Sequence, residues 1–297
     1  MLDRRRVLTA LAGLFLSAFS AGGYGYAIEA TRQEVTRYRL RPANWPAGRS
    51  LRLAVISDLH IGGPHVPLSR VTEIVAQTNS LAPDLVLLLG DFIASRDKHP
   101  DDPRPQDWAA ELARLTARDG VYAVLGNHDW WHDERAQRER RGPTEVALVL
   151  EAAGIPVLEN QVRRLETAAG PLWLAGLGDQ LAVLHPPRGT RRGIDDLAGT
   201  LAQVADDGAP LILMAHEPDV FARVPSRVSL TLSGHTHAGQ VRLFGWSPLV
   251  PSHFGNRYAY GHVREDGRDL IVSAGIGTSK LPIRLGAPPE IVLVELG

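Results

Sequence analysis

Short apolar runs, each followed by a polar loop, recur along the chain from residue 51 to the C-terminus. The runs are four to six residues long, and the loops are rich in Asp, Asn, His and Gly. Continuous apolar runs of this length between turn residues are typical of buried strands. The sequence predicts eight such strands, at residues 51–56, 85–89, 121–125, 172–177, 211–214, 228–232, 270–273 and 291–295.

Several stretches between these runs have apolar residues at spacings of three and four, as in an amphipathic helix. The predicted helices cover residues 69–79, 106–117, 144–153 and 194–205. Ser69 and Thr144 are predicted N-caps, because a hydroxyl oxygen can accept hydrogen bonds from the free amides of a first helical turn. Two charged segments, 96–105 and 132–142, break the pattern and are predicted to be exposed loops. Strands alternating with helices indicate an α/β fold.

The N-terminus has the composition of an export signal. Arg4, Arg5 and Arg6 precede an apolar stretch at 7–16, and the three arginines also resemble a twin-arginine motif. Weakly apolar residues continue to Ile28, so the sequence is compatible with a cleaved signal and with a membrane anchor. A buried first helix is disfavoured because the stretch has no polar face. The predicted division is a signal or anchor (1–28), a linker with a first strand at 36–40 (29–50) and a main domain (51–297).

Composition narrows the class of protein. A chain of 297 residues with 44% hydrophobic content can bury a full core in one large domain. The formal net charge of −1 gives no general field to attract a polyanion, so nucleic acid is not an expected partner. There is no cysteine, which leaves nitrogen and oxygen atoms to hold any metal ion. We expect a monomer that is exported across or anchored to the cytoplasmic membrane and faces the periplasm or cell wall.

Polar residues of the metal-ligand type follow five of the predicted strands. In open α/β sheets the loops at the carboxyl ends of the strands meet at one crevice, so residues far apart in sequence can come together. Side chains alternate along an extended segment, so each Asp-x-His or His-x-His pair is expected to point to one side. The five blocks are Asp58-Leu59-His60, Gly90-Asp91, Gly126-Asn127-His128-Asp129, Ala215-His216-Glu217 and Gly234-His235-Thr236-His237.

These blocks predict a metal centre. Carboxylate, imidazole and amide groups without sulfur suit Zn, Mn, Fe or Ni more than Ca, and they do not distinguish among the four metals. Gly90, Gly126 and Gly234 stand where a buried strand must turn sharply, and we interpret them as turn residues. A single residue such as Asp58 is more often a turn or cap residue than a ligand. Turn and cap roles do not explain why five such blocks follow one another along the chain.

The ordered blocks D-x-H, G-D, G-N-H-D, H and G-H-x-H resemble the calcineurin-like metallophosphoesterase family. Residues 126–131 and 233–240 are most similar to its bacterial membrane-associated or twin-arginine-exported phosphodiesterase branch, which usually has glycine at the position of Ala238. The resemblance extends from residue 51 to the C-terminus. It implies an α/β fold of four layers, an αββα sandwich of two mixed β-sheets flanked by helices.

The resemblance also implies roles for individual residues. Two divalent metal ions (Mn, Zn, Fe or Ni) would hold a bridging hydroxide that attacks phosphorus, so the protein supplies no nucleophile. His128 would stabilise the phosphate or protonate the leaving group, and Asp129 would orient His128. The implied ligands are Asp58, His60 and His237 for the first ion, Asn127, His216 and His235 for the second, and Asp91 between them.

The expected reaction is hydrolysis of a phosphomonoester, phosphodiester or pyrophosphate bond. Relatives in this branch include enzymes that cleave a nucleotide-linked acylated sugar in lipid A synthesis, so the resemblance favours a lipid-linked or nucleotide-sugar substrate. The apolar segment 243–254 either contacts lipid or covers a sheet edge. A group of arginines after the Asn-His block either binds a second phosphate or forms a solvated surface. They are Arg135, Arg138, Arg140 and Arg141.

Two other functions fit part of the pattern. A noncatalytic metal-binding envelope protein could keep the same ligands, but the intact His128 argues for an enzyme. A metallo-β-lactamase-like hydrolase requires an H-x-H-x-D-H block, which the chain lacks. Trp130 and Trp131 are equally compatible with a substrate groove and with the core. The histidines outside the blocks are interpreted as surface or loop residues: His65, His99, His132, His185, His253 and His262.

Overall fold

Eleven strands form two sheets within residues 19–94, 102–186 and 192–297, the ranges that this computed structural model describes. The strands are β1 (Glu34–Leu40), β2 (Leu51–Ile56), β3 (Leu85–Leu88), β4 (Val121–Ala123), β5 (Gln161–Thr167), β6 (Gly170–Gly176), β7 (Leu211–Met214), β8 (Leu230–Ser233), β9 (Gly261–Glu265), β10 (Arg268–Val272) and β11 (Glu290–Leu296). The helices between them are α1 (Leu68–Ser80), α2 (Pro105–Leu112), α3 (Asn127–Trp131), α4 (Glu134–Glu139), α5 (Glu145–Ala152) and α6 (Leu197–Ala202). Residues 19–27 are also helical.

Both sheets are mixed. The first has the order β1-β11-β2-β3-β4, in which β11 is antiparallel to β2 and the other neighbours are parallel. The second has the order β5-β6-β7-β8-β10-β9, in which the edge strands β5 and β9 are antiparallel to their neighbours. The parallel strands of each sheet end on one side, and this brings the polar loops that follow them together.

The two sheets pack face to face, and helices cover their outer faces. Leu53 of β2 and Ile212 of β7 belong to the core between the sheets. Their neighbours in sequence point the other way: Ala54 faces a core that includes residues of α1 and α2, and Leu213 faces one that includes residues of α6. This alternation is expected for strands covered on both sides. The arrangement confirms the predicted four-layer αββα sandwich.

Two strands, β5 and β9, and two helices, α3 and α4, were not predicted. Strands β5 and β9 lie at sheet edges, and most of their residues are exposed or half-buried, so no apolar run marks them. The segment 132–142, predicted as a loop, contains α4. This helix begins after Asp133, whose carboxylate accepts a hydrogen bond from the amide of Ala136 at 2.8 Å. An acidic N-cap satisfies a free amide of the first turn, and that signal was present in the sequence.

One predicted N-cap is confirmed and the other is wrong. The hydroxyl of Thr144 accepts a hydrogen bond from the amide of Ala147 at 3.2 Å, at the start of α5. Ser69 lies inside α1, which begins one residue earlier, after Pro67. Proline has no side-chain oxygen to accept a hydrogen bond, so α1 starts at Leu68 without a side-chain cap.

Some predicted features lie outside the described residues. These are residues 1–18, with the three arginines and most of the apolar stretch of the predicted signal, and residues 95–101, with His99. Within the described ranges, no helix has both the length and the hydropathy needed to cross a bilayer. Strand β1 pairs with β11 along its full length, so the chain before residue 51 contributes to the first sheet.

Candidate metal centre

Asp58 and His60 lie in the loop after β2, where the parallel strands of the first sheet end. Their backbones are left-handed, with φ values of 52° and 46°, and His235 and His237 after β8 have φ values of 68° and 50°. The two pairs therefore do not lie on extended segments. The prediction that each pair points to one side because of strand alternation was based on extended segments, so its reason was wrong. A left-handed conformation costs a non-glycine residue about 1–3 kcal/mol, and such residues cluster at functional sites. Hydrogen bonds stabilise the left-handed backbone at His60, since its amide donates to the carbonyl of Asp91.

Asp58, His60 and His237 form a group whose ligand-type atoms lie within 4.8 Å of one another. Nε2 of His60 is 3.0 Å from Nε2 of His237, which is 3.4 Å from Oδ1 of Asp58. Nδ1 of His60 donates to the carbonyl of Ile93, which leaves the lone pair on Nε2. Burial lowers the pKa of His60 to about 3 and the pKa of His237 well below its usual range. Both rings are therefore neutral at pH 7, the form that binds metals.

Asp91, His216 and His235 form a second group of the same kind. Nε2 of His216 is 3.4 Å from Oδ2 of Asp91, and its Nδ1 donates to the carbonyl of Leu89 at 2.6 Å. That hydrogen bond fixes the ring so that Nε2 faces the carboxylate. Burial disfavours the charged imidazole, but the charges of Asp91 and Asp58 outweigh it and raise the pKa of His216 well above its usual range. The same negative charge favours a bound cation.

Asp91 contacts both groups. Its Oδ2 lies 3.6 Å from Nε2 of His60 and 3.4 Å from Nε2 of His216. Its Oδ1 accepts a hydrogen bond from the amide of His128 at 2.8 Å. Burial opposes ionisation of Asp91, but the positive charges of His216 and then His128 hold its pKa well below the usual range. One ionised carboxylate therefore lies between two clusters of ligand-type atoms.

Three buried atoms of the expected ligands have no hydrogen-bond partner among the residues that the structure describes. They are Oδ1 of Asn127, Nε2 of His216 and Nδ1 of His235. Buried polar atoms nearly always have a partner, because an unsatisfied one costs about 1–3 kcal/mol. A cation coordinated by these atoms would satisfy them. Nitrogen and oxygen ligands without sulfur are typical of Zn, Mn, Fe and Ni sites, so the residues fit a divalent metal centre.

The three glycines of the blocks serve two different purposes. Gly90 has φ of +88° and makes the turn that was predicted. Gly126 and Gly234 do not have positive φ, and the space around them explains the glycine instead. A Cβ atom on Gly126 would overlap Oδ1 of Asp91 and lie 2.7 Å from Cε1 of His216. Interpreting these two glycines as turn residues was therefore wrong: they allow backbone to approach the ligands closely.

Comparison with known proteins supports this chemistry. The family model for calcineurin-like phosphoesterases matches residues 51–239. The chain belongs to the calcineurin-like phosphoesterase family. It is 30% identical to the phosphodiesterase YaeI of Escherichia coli, over 100% of both chains. It is also 29% identical to the metallophosphoesterase YkuE of Bacillus subtilis, over 99% of this chain and 98% of that protein. This protein is therefore a metal-dependent phosphoester hydrolase.

Among solved structures, this phosphoesterase is similar to a dimetal phosphatase from Danio rerio. The match has 13% sequence identity and a TM-score of 0.42, and it covers 76% of this chain and 88% of that chain. The fold assignment rests on the two mixed sheets and on the family match.

His128 and Asp129 of this phosphoesterase have different surroundings. Nδ1 of His128 lies 3.2 Å from Nε2 of His132, and its ring stands edge-on to His60 with centroids 4.7 Å apart. Asp129 was expected to orient His128. Its carboxylate instead accepts hydrogen bonds, each 2.9 Å long, from the amides of Asp91, Phe92 and Gly126. Asp129 therefore positions the backbone around Asp91, and His132 is the residue that contacts Nδ1 of His128.

The two tryptophans after the Asn-His block differ in how deeply they are buried. Trp130 is fully buried and belongs to the core between the first sheet and its helices. Trp131 is half-buried, its Nε1 donates to the carbonyl of Leu181 at 2.8 Å, and its ring centroid is 5.4 Å from that of His128. The guanidinium of Arg192 lies 5.4 Å from the Trp131 ring. Trp130 is thus a core residue, and Trp131 lies beside the centre.

A further set of buried ligand-type side chains was not predicted from the sequence. Asp179 and Glu217 are buried and form, with His216, another set of ligand-type atoms within 4.8 Å of one another. Burial and the charge of Glu217 raise the pKa of Asp179 well above its usual range. The signal was present in the sequence, because Gly178-Asp179 follows a buried strand as Gly90-Asp91 does.

Of the histidines outside the blocks, His185, His253 and His262 are exposed, as predicted. His65 and His132 lie in turns, which fits the loop interpretation, but neither is an exposed residue. His65 is buried, and its Nε2 contacts the carbonyl of Pro282 at 2.9 Å. His132 is half-buried beside His128.

The arginines after the Asn-His block make exposed ion pairs within their own segment. Arg135 and Arg141 contact Glu139, and Arg138 contacts Glu134. Exposed pairs of this kind contribute about 0–1 kcal/mol. The contacts favour the interpretation of these arginines as a solvated surface.

Proposed function

We propose that the chain hydrolyses a phosphodiester or pyrophosphate bond with two divalent metal ions. Asp58, His60 and His237 would hold one ion, and Asp91 would contribute to both. The ligands of the other ion would be Asn127, His216 and His235. The position of Asp91, within 3.6 Å of one group and 3.4 Å of the other, carries this proposal. Divalent ions in such a site neutralise phosphate charge and lower the pKa of bound water.

The protein's own residues position the substrate and move a proton. His128 lies beside His60 and Asp91, so its ring can donate a hydrogen bond to a phosphoryl oxygen or a proton to the leaving oxygen. His132 holds the His128 ring through the contact at Nδ1. The Trp131 ring, with its centroid 5.4 Å from that of His128, would give the leaving group an apolar surface to pack on.

The relatives and the surface support a proposed substrate class. The Escherichia coli relative, 30% identical over both whole chains, is named a phosphodiesterase, which favours a diester. Exposed apolar residues at 243–249 favour a substrate with a lipid part, such as a lipid-linked or nucleotide-sugar pyrophosphate. The basic and then apolar N-terminal sequence favours a protein that is exported across or anchored to the membrane and faces the periplasm or cell wall.

Metal removal and restoration test the reaction. The chelated full chain should lose its activity on bis(p-nitrophenyl) phosphate, and Mn or Zn should restore it. His128→Ala should lower kcat by about 100-fold or more while the bound metal stays nearly unchanged. His253→Ala, at an exposed histidine, is the matched control and should behave as the wild type. Activity that survives chelation would refute the proposal, and metal binding without turnover would indicate the noncatalytic envelope protein.

A further inference from the structure

Exposed apolar side chains are concentrated in one part of the surface. Ten large hydrophobic residues are exposed among the described residues, and only Leu148 stands alone, on α5. The other nine are Phe19, Tyr24, Tyr26, Ile28, Leu243, Phe244, Trp246, Leu249 and Leu281. Single exposed apolar residues are normal, but a concentration of them marks an interaction site.

The three segments that carry these nine residues are in contact with one another. Val241 and Leu285 form an isolated parallel bridge, which joins the loop after the His-x-His block to the segment 281–285. The amide of Arg284 donates to the carbonyl of Gly25 at 3.1 Å, which joins that segment to the N-terminal helix. Residues 19–28, 240–249 and 281–285 therefore form one continuous surface, which we call the apolar rim.

The tip of the apolar rim is a tight turn that presents aromatic side chains to solvent. The amide of Leu243 donates to the carbonyl of Trp246 at 2.8 Å, and the amide of Trp246 donates back at 3.0 Å. Phe244 has φ of 53° and its relative exposure is 109%. Backbone hydrogen bonds, and not packing, fix this turn, so its side chains remain available to a partner.

Charge identifies the kind of partner. Residues 220–264 and 270–289 contain no Asp or Glu, and Arg242 and Lys280 lie next to the exposed apolar positions. Aromatic side chains beside cationic ones are typical of membrane interfaces, where Trp lies at the level of the headgroups and Lys or Arg attract anionic lipid. The N-terminal helix of the rim continues a sequence in which an apolar stretch follows three arginines. These features favour a bilayer over another protein as the partner that binds the apolar rim.

The apolar rim adjoins the metal centre. Gln240, its first loop residue, follows His237 by three positions. Arg284 of the rim is fully buried, and its Nη2 lies 3.3 Å from Nδ1 of His237. A bilayer against the rim would therefore lie close to the ligand group that contains His237.

We propose that the apolar rim is a membrane-docking surface, which inserts Phe244 and Trp246 into the interface of an anionic bilayer and holds the metal centre next to it. This inference deepens the proposed membrane location and rests on it. It does not rest on the proposed reaction, because that reaction is measured separately by hydrolysis of a soluble diester.

Quenching by brominated lipid tests the insertion of the loop. The full chain is mixed with vesicles of phosphatidylglycerol and phosphatidylethanolamine that carry brominated acyl chains. Trp246 is 58% exposed, whereas Trp45, Trp108 and Trp130 are buried. We expect quenching in the wild type and the loss of most of it in Trp246→Phe. Equal quenching in the two proteins, or none in the wild type, overturns the proposal.

A second pair of variants separates insertion of the loop from binding through the N-terminus. Phe244→Ser together with Leu249→Ser should lower the quenching of Trp246 at least about threefold, because both exposed side chains lose their apolar area. Leu148→Ser, 54% exposed on α5, is the matched control and should be quenched like the wild type. Unchanged quenching in the double variant overturns the proposal. So does sedimentation that shows a wild-type dimer, lost in the double variant, since a second copy would then be the occupant.

Activity on bis(p-nitrophenyl) phosphate distinguishes the two proposals. The rim variants should keep wild-type turnover of this soluble diester, which shows that the metal centre is intact. A wild type that inserts Trp246 but hydrolyses no diester supports docking and refutes the reaction. A wild type that hydrolyses the diester without quenching refutes docking alone.

Discussion

Nδ1 of His128 lies 3.2 Å from Nε2 of His132, one helical turn further along the chain. His128 is on α3 and His132 is its C-cap, so the spacing of four residues places the two rings on one face. Their ring centroids are 5.2 Å apart. A group that contacts one ring nitrogen fixes the orientation of the ring. The His128 ring also has a ligand-type atom within 4.8 Å of those of His60 and Asp91.

His132→Ala should therefore lower kcat by about 10–100-fold, the usual cost of losing a partner that orients a site residue. KM and bound metal should change little, because His132 is not among the proposed ligands. If His128 protonates the leaving oxygen, the loss should be larger for phenyl esters than for nitrophenyl esters, which need no proton. Steady-state kinetics with a series of leaving groups measures this.

His132→Gln supplies the comparison, since its amide can still contact Nδ1 of His128. It should recover part of the activity that His132→Ala loses. An equal loss for every leaving group, with no recovery in the glutamine variant, would show that His132 only supports the fold.

Gly234→Ala should abolish metal-dependent activity. A Cβ atom there would overlap Oγ of Ser57 and Oδ2 of Asp58, so the Asp58 carboxylate would have to move. Differential scanning fluorimetry with and without Mn should show a smaller metal-induced rise in Tm. Gly23→Ala is the control, because a Cβ atom at Gly23 has nothing within 4 Å. Wild-type activity in Gly234→Ala would contradict the argument that close approach requires this glycine.

The sequence predicted the central strands and the ligand loops well, for a physical reason. Strands β2 and β7 have the predicted bounds because both of their faces are buried, so every residue is apolar except the exposed Arg52 of β2. Seven ligand-type residues, among them Asp91 and His216, follow such strands, and the end of an apolar run marks their position. The exposed edge strand β5 includes Arg163 and Arg164 and has no comparable signal.

Features that depend on three-dimensional contacts could not be predicted in the same way. The φ value of 52° at Asp58 depends on how loops of neighbouring strands hydrogen-bond to one another. The partner of His128 depends on which way a short helix turns. Arg284 is fully buried and donates to the carbonyls of Ala274 and Ala287, although nothing nearby in sequence marks it as internal.

Burial of Glu159 should make stability depend on pH. Burial raises its pKa from 4.5 to about 7. The folded state therefore binds a proton more tightly than the unfolded state, and the free energy of unfolding should fall as pH rises from about 4.5 to 7. One pKa unit corresponds to about 1.4 kcal/mol, so this group accounts for at most about 3 kcal/mol.

Glu159→Gln should remove this contribution, because glutamine stays neutral. Urea unfolding of the chelated protein at several pH values should show the variant gaining stability over the wild type as pH rises to 7, with no further gain above it. Glu73→Gln, at an exposed position on α1, is the control and should run parallel to the wild type. A constant difference between Glu159→Gln and the wild type at every pH would contradict the assigned shift.

Asp91 and His237 give the sharpest test of two ions rather than one. Asp91→Asn keeps the size of the side chain and removes its charge, and Oδ2 of Asp91 contacts both ligand groups. Equilibrium dialysis with Mn should show weaker metal binding at both sites in this variant. His237→Gln alters a residue of the Asp58 group only, so one equivalent of Mn should remain bound with nearly wild-type affinity. If each variant instead lost a single equivalent, or if the wild type bound one ion in total, the shared role of Asp91 would have to be abandoned.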